Sequence, residues 1–444
     1  MNPLDAPMTT TPDSEGWHGR TVAGPWPRQH PRHRAAPSIG APTAGGGGSA
    51  SRSVLLVGTY PPTECGLATY TANLREAVER TGATSPVLRL LDDDDHSQAD
   101  SRHVAGLWRR GSTSASSSAS SSASSSAAHA AAVASRFDAV LLQHEFGIFP
   151  GVDGCEVVPF VEACRRPLIT VLHTVLERPS DSQRGILDAV LARADCVVVH
   201  SEVAYRRLLG VTDIDPERVA VIPHGATPNL IGATVASGHR VDRLLPPIML
   251  TWGLLGPGKG IEHGIEAVGK LRTSGLDVRY VVAGQTHPNV RARQGERYRQ
   301  SLVELARGWG VSDLVDFDDG YRDWDALRAL VRTATLVLVP YDSTDQVTSG
   351  VLVEALAAGK PVVATAFPHA VELSRSGAVA IVPHGSPDDC AAAVRKVLTR
   401  PDLRLAMETA ARAEGARYDW ANVGRRFRQL IETAVEVEEG RLAR

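Results

Sequence analysis

Gln346 and Glu354 stand with seven residues between them in the stretch VPYDSTDQVTSGVLVEALAAGKPVVAT, after a strand-like run that ends at Pro340. The spacing puts Gln346 on a polar loop, with Asp345 beside it, and Glu354 about one turn into a helix that begins near Ser349 or Gly350 and stops at Gly359. A carboxylate there can accept two hydrogen bonds from vicinal hydroxyls such as those of a ribose. It could also simply complement the helix dipole, although the apolar flanks VLV and ALAA make an idle charge less attractive. Ser349 is a natural N-cap, and the free N–H groups just beyond it, at Gly350 onward, would face an anion. The amide of Gln346 can both donate to and accept from a sugar.

A second constellation lies upstream in IMLTWGLLGPGKGIEHGIEAVGKL, where Gly258, Lys259 and Gly260 form a glycine-rich turn between a strand and an amphipathic helix. Glycines permit close approach, the helix N-terminus supplies positive potential and Lys259 adds a full charge, a combination suited to a diphosphate. It is not a Walker A loop, because Gly260 follows the lysine where serine or threonine is needed. In the first half, Gly66 precedes a helix-like stretch from about Leu67 to Arg80, where glycine serves either a close ligand approach or packing. His144 and Glu145 follow the apolar run 138–142 and His173 follows 168–172. A histidine at a strand end can donate to a sugar hydroxyl or to charge developing on a leaving phosphate, or merely hold a loop. His200, His224 and His384 also end strands and are read as structural.

The elements that must position these groups are short β-branched runs separated by helix-like stretches. They are 53–58, 138–142, 168–172, 196–200 and 219–222, then, after a softer stretch from Gly232 to Pro247, 248–252, 278–283, 335–340, 361–365 and 379–382. Continuous apolar strands alternating with helices imply parallel sheets covered on both faces. The expected fold class is α/β, with two Rossmann-like doubly wound domains facing across a cleft, and ligands belong at the carboxyl ends of the strands. Expected boundaries are a disordered tail over 1–52, a first domain over 53–240, a second over 241–415, and a crossover helix and tail over 416–444. The Ser/Ala-rich segment Gly111–Ala128 reads as a flexible insertion or a frayed helix. Asp92–Asp95 reads as a solvated charge run without function.

At 444 residues the chain suits two domains plus a tail. A net charge of −3 with interspersed signs leaves no footprint for nucleic acid. The five cysteines lack metal or disulfide spacing and read as buried thiols of a reducing compartment. With no membrane-spanning segment and no secretory signal pattern, the expected location is the cytoplasm.

From Ser53 to the terminal helix the chain resembles the retaining glycosyltransferases of family 4, which carry the GT-B fold. The resemblance rests on the register of Gln346, Glu354 and ALAAGKPVVAT, in which glutamine replaces the first of the family's paired glutamates. Segments such as GLLGPGKGIEHGIEA and VVAGQTHPNV look like a particular bacterial subgroup. The resemblance implies that Lys259 neutralises the donor diphosphate, Glu354 holds the ribose, His173 sits by the transferred sugar and Gly66 lies where the first domain meets donor or acceptor. It implies base contacts near Gly284 and Tyr321, a sugar contact from Gln346 or Asp345, and a missing cation at Leu254, where an arginine is usual. Possible acceptor-side residues are His144 and Glu145.

The activity so implied is transfer from a nucleotide-diphosphate sugar, such as a GDP- or UDP-hexose, to a sugar, lipid or small-molecule acceptor with retention of configuration. The resemblance implies no cofactor and no metal. YDWANVGRRFRQLIETAVE resembles the helix that returns to the first domain. Two other readings compete. A sugar-nucleotide-binding protein without transferase activity would bind but not turn over, and a GT-B epimerase or phosphorylase is the other; a phosphorylase would carry pyridoxal phosphate.

Overall fold

The computed structural model describes residues 51–92, 102–110, 119–230, 246–320, 322 and 324–443. Outside them lie residues 1–50 of the expected tail, Asp93–Asp95, the first half of the Ser/Ala-rich segment, the boundary at 240 and Tyr321.

Two parallel sheets organise the rest. The first has seven strands, β1 (Val54–Thr59), β2 (Val87–Asp92), β3 (Val104–Arg110), β4 (Ala139–His144), β5 (Leu168–Leu172), β6 (Cys196–Val199) and β7 (Val219–Val221), in the order β3-β2-β1-β4-β5-β6-β7. The second has six, β8 (Ile248–Trp252), β9 (Arg279–Ala283), β10 (Val315–Asp318), β11 (Leu336–Val339), β12 (Val362–Thr365) and β13 (Val379–Val382), in the order β10-β9-β8-β11-β12-β13. Every strand pair is parallel, as with β1 on β4 and β8 on β11. In each sheet the strand order reverses beside the first strand, between β1 and β4 and between β8 and β11. At such a switch point the loops diverge and leave a crevice.

Strand periodicity decides which side chains reach that crevice. On one face of the first sheet Leu56, Leu141, Ile169, Val171 and Val198 pack under the helix Gly66–Glu79 and the C-terminal helix Trp420–Leu442. The opposite face carries Leu55, Val57, Val140 and Leu142 against Trp108, Phe149 and Phe160. The C-terminal helix contributes Trp420, Val423, Phe427 and Ile431 to the first core, so the chain's last element packs on the first lobe. Next to it the Ala226 N–H donates to the Tyr418 carbonyl at 2.7 Å, which sets the two strands of the crossover side by side.

Two expectations change. The sequence reading passed over β2 and β3, because each carries charge in its run: Arg89 is fully buried in β2, and β3 ends in two arginines. The described part of the Ser/Ala-rich segment takes the helical alternative. Ala119–Ala134 is a helix whose Ala127, Ala130, Val133 and Ala134 pack beside Leu88 and Phe160. Alanine's helix propensity is the highest of all, and its small side chain lets the helix lie close to the sheet. The thiols also differ from expectation. All five are unbridged, but Cys155 is exposed, while Cys164 and Cys390 are buried. None of the described helices is long and apolar enough to cross a membrane.

Candidate active site

The crevices of both sheets open into one cleft of about 910 Å³. The structure brings Gly66, Glu145, His173, Lys259, Gly284, Gln346, Ser349, Gly350 and Glu354 to its walls.

On the second lobe the wall begins with the loop after β8. The turn at Gly260 has φ +61°, and a Cβ there would fall 1.8 Å from the Pro340 carbonyl oxygen, so only glycine closes it. Gly260→Ala is expected to cost about 3 kcal/mol of stability, combining left-handed strain with an irreducible overlap, and chemical denaturation reads it directly. Lys259, one residue earlier, places Nζ 4.4 Å from the centre of the Tyr341 ring. Arg75 and Arg322 also line the cleft, but they pair with Glu79 and Asp318. Among the described lining residues Lys259 is thus the cation without an acidic partner. Its charge also reaches the next loop, where His287 is held below its ordinary value by burial and then by Lys259.

The helix Gly350–Ala357 points its N-terminus into the same wall. Ser349 caps it, its Oγ accepting the Leu352 N–H at 3.3 Å, and its own N–H donates to His369 Nδ1 at 3.0 Å. Leu352 and Val353 therefore have their partners, and the N–H groups of Gly350 and Val351 remain for a ligand. Glu354 receives a hydrogen bond from the Trp252 indole and feels Arg328, yet burial dominates and pushes its carboxyl up to about 7. Gln346 is anchored by its own loop, its Nε2 donating to the Thr348 carbonyl at 2.9 Å. One amide hydrogen and the oxygen stay available. Gly284, at φ +135°, presses against the Gly253 backbone, where a Cβ would lie 2.1 Å from the carbonyl oxygen. Leu254 is on the wall, a branched alkyl group where the resemblance would place an arginine.

Three expected site residues do not line the cleft. Asp345 is engaged elsewhere, with its carbonyl accepting from Arg207 at 2.6 Å and its carboxylate 4.0 Å from the same guanidinium. Gly258 serves the turn, at φ +89°, with its carbonyl accepting the Asp342 N–H at 3.0 Å. His144 is buried on the far face of the first sheet, edge-on to Phe146 and stacked on Phe149. The reason is the strand period of two: a residue next to Gln143 must point the other way.

Gln143 is the residue that faces the cleft side. It belongs to the face of Leu141, and its Oε1 lies 2.8 Å from His173 Nε2. His173, His200 and His224 follow β5, β6 and β7, and Tyr70 of the Gly66–Glu79 helix packs on all three rings at 4.7, 5.2 and 4.9 Å. Burial lowers every one of these histidines, His173 well below the usual value, His200 to about 3 and His224 to about 4. They are neutral rings at neutral pH. His224 lines the cleft, against the purely structural reading given to it from sequence. Counting two residues on from the last inward apolar position of each strand would have found Gln143 and His200. Glu145 keeps both oxygens occupied, by Thr174 Oγ1 and by the Phe146 N–H at 3.1 Å, while burial raises its carboxyl. Across the mouth, Gln285 Nε2 donates to Glu64 Oε2 at 2.7 Å, joining the lobes. Gly66 has open space around its Cβ position, which leaves the helix N-terminus approachable.

Two parallel α/β lobes, with a lysine turn and a capped helix N-terminus on one side and a row of neutral histidines on the other, define a GT-B protein. The glycosyltransferase family 4 model matches residues 65–230 and the glycosyl transferases group 1 model matches residues 242–414. The chain is thus a GT-B chain with a family 4 domain followed by a group 1 domain. It is 28% identical to the D-inositol 3-phosphate glycosyltransferase of Corynebacterium kroppenstedtii over 58% of this chain and 58% of the relative. Against the protein of that description from Actinosynnema mirum it is 30% identical, over 57% of this chain and 64% of the relative. The chain spans about three fifths of the length of these curated relatives. Among solved structures, Anabaena HepE in complex with UDP superposes with a TM-score of 0.68 at 16% identity, covering 86% of this chain and 100% of that one. Sucrose-phosphate synthase from Thermosynechococcus elongatus gives 0.69 at 18%, covering 87% and 100%.

Proposed function

We propose that this protein transfers a sugar from a nucleotide-diphosphate sugar to a hydroxyl-bearing acceptor, with retention of configuration at the anomeric carbon and without need of a metal ion. The observation that carries the reading is the single wall formed by Lys259, the Gly350 and Val351 N–H groups and Glu354. Charge on a departing diphosphate falls to the lysine and the helix N-terminus, both fixed before the reaction starts. The Glu354 carboxylate takes the ribose hydroxyls, and Gln346 offers its amide to the transferred sugar. His173 stands across the cleft at the sugar, and Glu145 lies toward the acceptor. Retention follows if the acceptor attacks from the face that the diphosphate leaves, which the protein promotes by orientation rather than by covalent chemistry. The family match supports this reading, and HepE, solved with UDP, sets a uridine nucleotide as the first ligand to try.

A thermal-shift panel of UDP, GDP, ADP and their hexose conjugates tests the donor. One nucleotide family is expected to raise the midpoint by mass action. Absence of a shift with all of them, on folded protein, overturns the reading. The anomeric configuration of the product, read by proton NMR, tests retention.

A further inference from the structure

Gln143 is a fully buried amide at the penultimate position of β4, on a face otherwise built from apolar side chains. Nothing in the packing of that core calls for an amide. Its Nε2 has no hydrogen-bond partner among the described residues, so the side chain is kept there at a net loss of hydrogen bonding. The neighbouring strand makes room for it: a Cβ on Gly58 of β1 would fall 3.0 Å from the Gln143 Cβ. What the amide does make is one bond, from its Oε1 to His173 Nε2 at 2.8 Å.

An amide oxygen only accepts, so that bond requires the proton on His173 Nε2. We propose that Gln143 is a positioning residue, which holds His173 as the neutral Nε2–H tautomer and leaves Nδ1 as a hydrogen-bond acceptor for a hydroxyl of the ligand in the cleft. The ring plane is fixed from a second side by Tyr70, edge-on at 4.7 Å and 84°. The Glu145 carboxylate, just past β4, is turned to Thr174 Oγ1 and the Phe146 N–H. The titratable groups that pack or act on the His173 ring are Tyr70 on the helix, His200 after β6, His224 after β7 and His144 on its own sheet. None of them brings negative charge, and burial disfavours the imidazolium. His173 consequently has no proton to give a sugar oxygen or a leaving phosphate, and the donor role expected of it from sequence becomes an acceptor role. The last step, recognition of a hydroxyl, rests on the cleft being the sugar-donor site; the tautomer does not.

The test is two-bond proton–nitrogen NMR on the full chain with labelled histidine, with His173→Asn used for assignment. His173 is expected in the Nε2–H form with no titration between about pH 5 and 9. In Gln143→Leu the tautomer should shift or mix. In Gln143→Glu a carboxylate faces the ring, and His173 should become imidazolium near neutrality. Unchanged His369 and His384 signals, away from the His173 ring, show that each variant is folded, and Gln143→Glu keeps the shape if the leucine variant does not fold. Wild-type His173 in the Nδ1–H form, or an unmoved tautomer in Gln143→Leu, overturns the proposal. With the nucleotide sugar that the panel identifies, Gln143→Glu should gain an acid limb in kcat, falling about tenfold per pH unit below the new pKa. A merely structural glutamine would lower stability and create no such limb. If the panel finds no nucleotide, the transfer reading falls while the NMR result still decides the tautomer.

Discussion

Lys259→Ala is expected to lower kcat by about 10²–10³-fold, or ~3 kcal/mol in the transition state, the loss typical of removing one preorganised contact to developing negative charge. The size of the effect follows from the absence of a substitute. Arg75 and Arg322 are committed to Glu79 and Asp318, and Leu254 supplies no charge. Moving either arginine toward the diphosphate would strip its own carboxylate partner. The same substitution should weaken a nucleoside diphosphate far more than the parent nucleoside, because the lysine acts on phosphate and not on the base. Equilibrium binding of the two ligands separates these cases, and a variant within tenfold of wild type in kcat would remove Lys259 from the proposed chemistry. Added salt should weaken diphosphate binding in the wild type and much less in the variant.

The two-lobe architecture was legible because parallel strands buried on both faces read as unbroken apolar runs, which survive any choice of ligand. The second-lobe site was legible for a related reason. Its groups sit at helix starts and glycine turns, where local chemistry is written in adjacent residues. Glu354 and Lys259 could be placed that way. The first-lobe site was harder, because it depends on which face a strand presents. His144 attracted attention as a histidine at a strand end, whereas the neighbouring Gln143, less conspicuous in type, holds the position that faces His173. Tyr70 is invisible to local reading. It lies mid-helix and matters only because β5, β6 and β7 deliver His173, His200 and His224 against it from sites far apart in the chain. Arg89 shows the opposite failure: a charge fully buried in a strand, donating to Thr63 Oγ1 at 3.1 Å, hid β2 from any hydrophobic pattern.

Contacts between the lobes explain why Asp345 is not on the wall. Arg207 takes its carbonyl, Ser201 Oγ donates to the Val347 carbonyl at 2.7 Å, and the Glu372 carboxylate accepts the N–H groups of Glu202 and Val203 at 3.1 and 2.7 Å. The Glu372 carboxylate thereby caps a first-lobe helix from the second lobe, an arrangement favoured by the helix dipole. The loop from Asp345 to Ser349 is consequently tied to the first lobe on one side while Gln346 faces the cleft on the other. If the cleft holds the donor as proposed, one short loop carries both ligand and lobe contacts, and donor binding is coupled to the relative placement of the lobes.

Glu354→Gln is expected to stabilise the empty protein and at the same time to weaken the donor. The folded carboxyl is raised from 4.5 to about 7, chiefly by burial. Stability from this group is therefore fully present below about pH 4.5 and is lost as pH rises through about 7, because ionisation costs more in the fold than in the unfolded chain. The ceiling is about 3 kcal/mol, since the side chain keeps some contact with the cleft. Glutamine has nothing to ionise and can still accept from the Trp252 indole. At pH 8 its midpoint should lie a few degrees above wild type, and at pH 4 the two should converge. Binding behaves in the opposite sense. Two ribose hydroxyls need a carboxylate, so wild-type donor affinity should fall as pH drops through about 7, whereas the variant should be weaker by about 10–100-fold at pH 8 and insensitive to pH. Thermal melts and nucleotide titrations across pH 5–9 measure both arms. Stabilisation without loss of affinity would leave Glu354 a buried carboxyl of the helix, and loss of affinity without the pH dependence would show that the carboxylate form is not what the ribose sees.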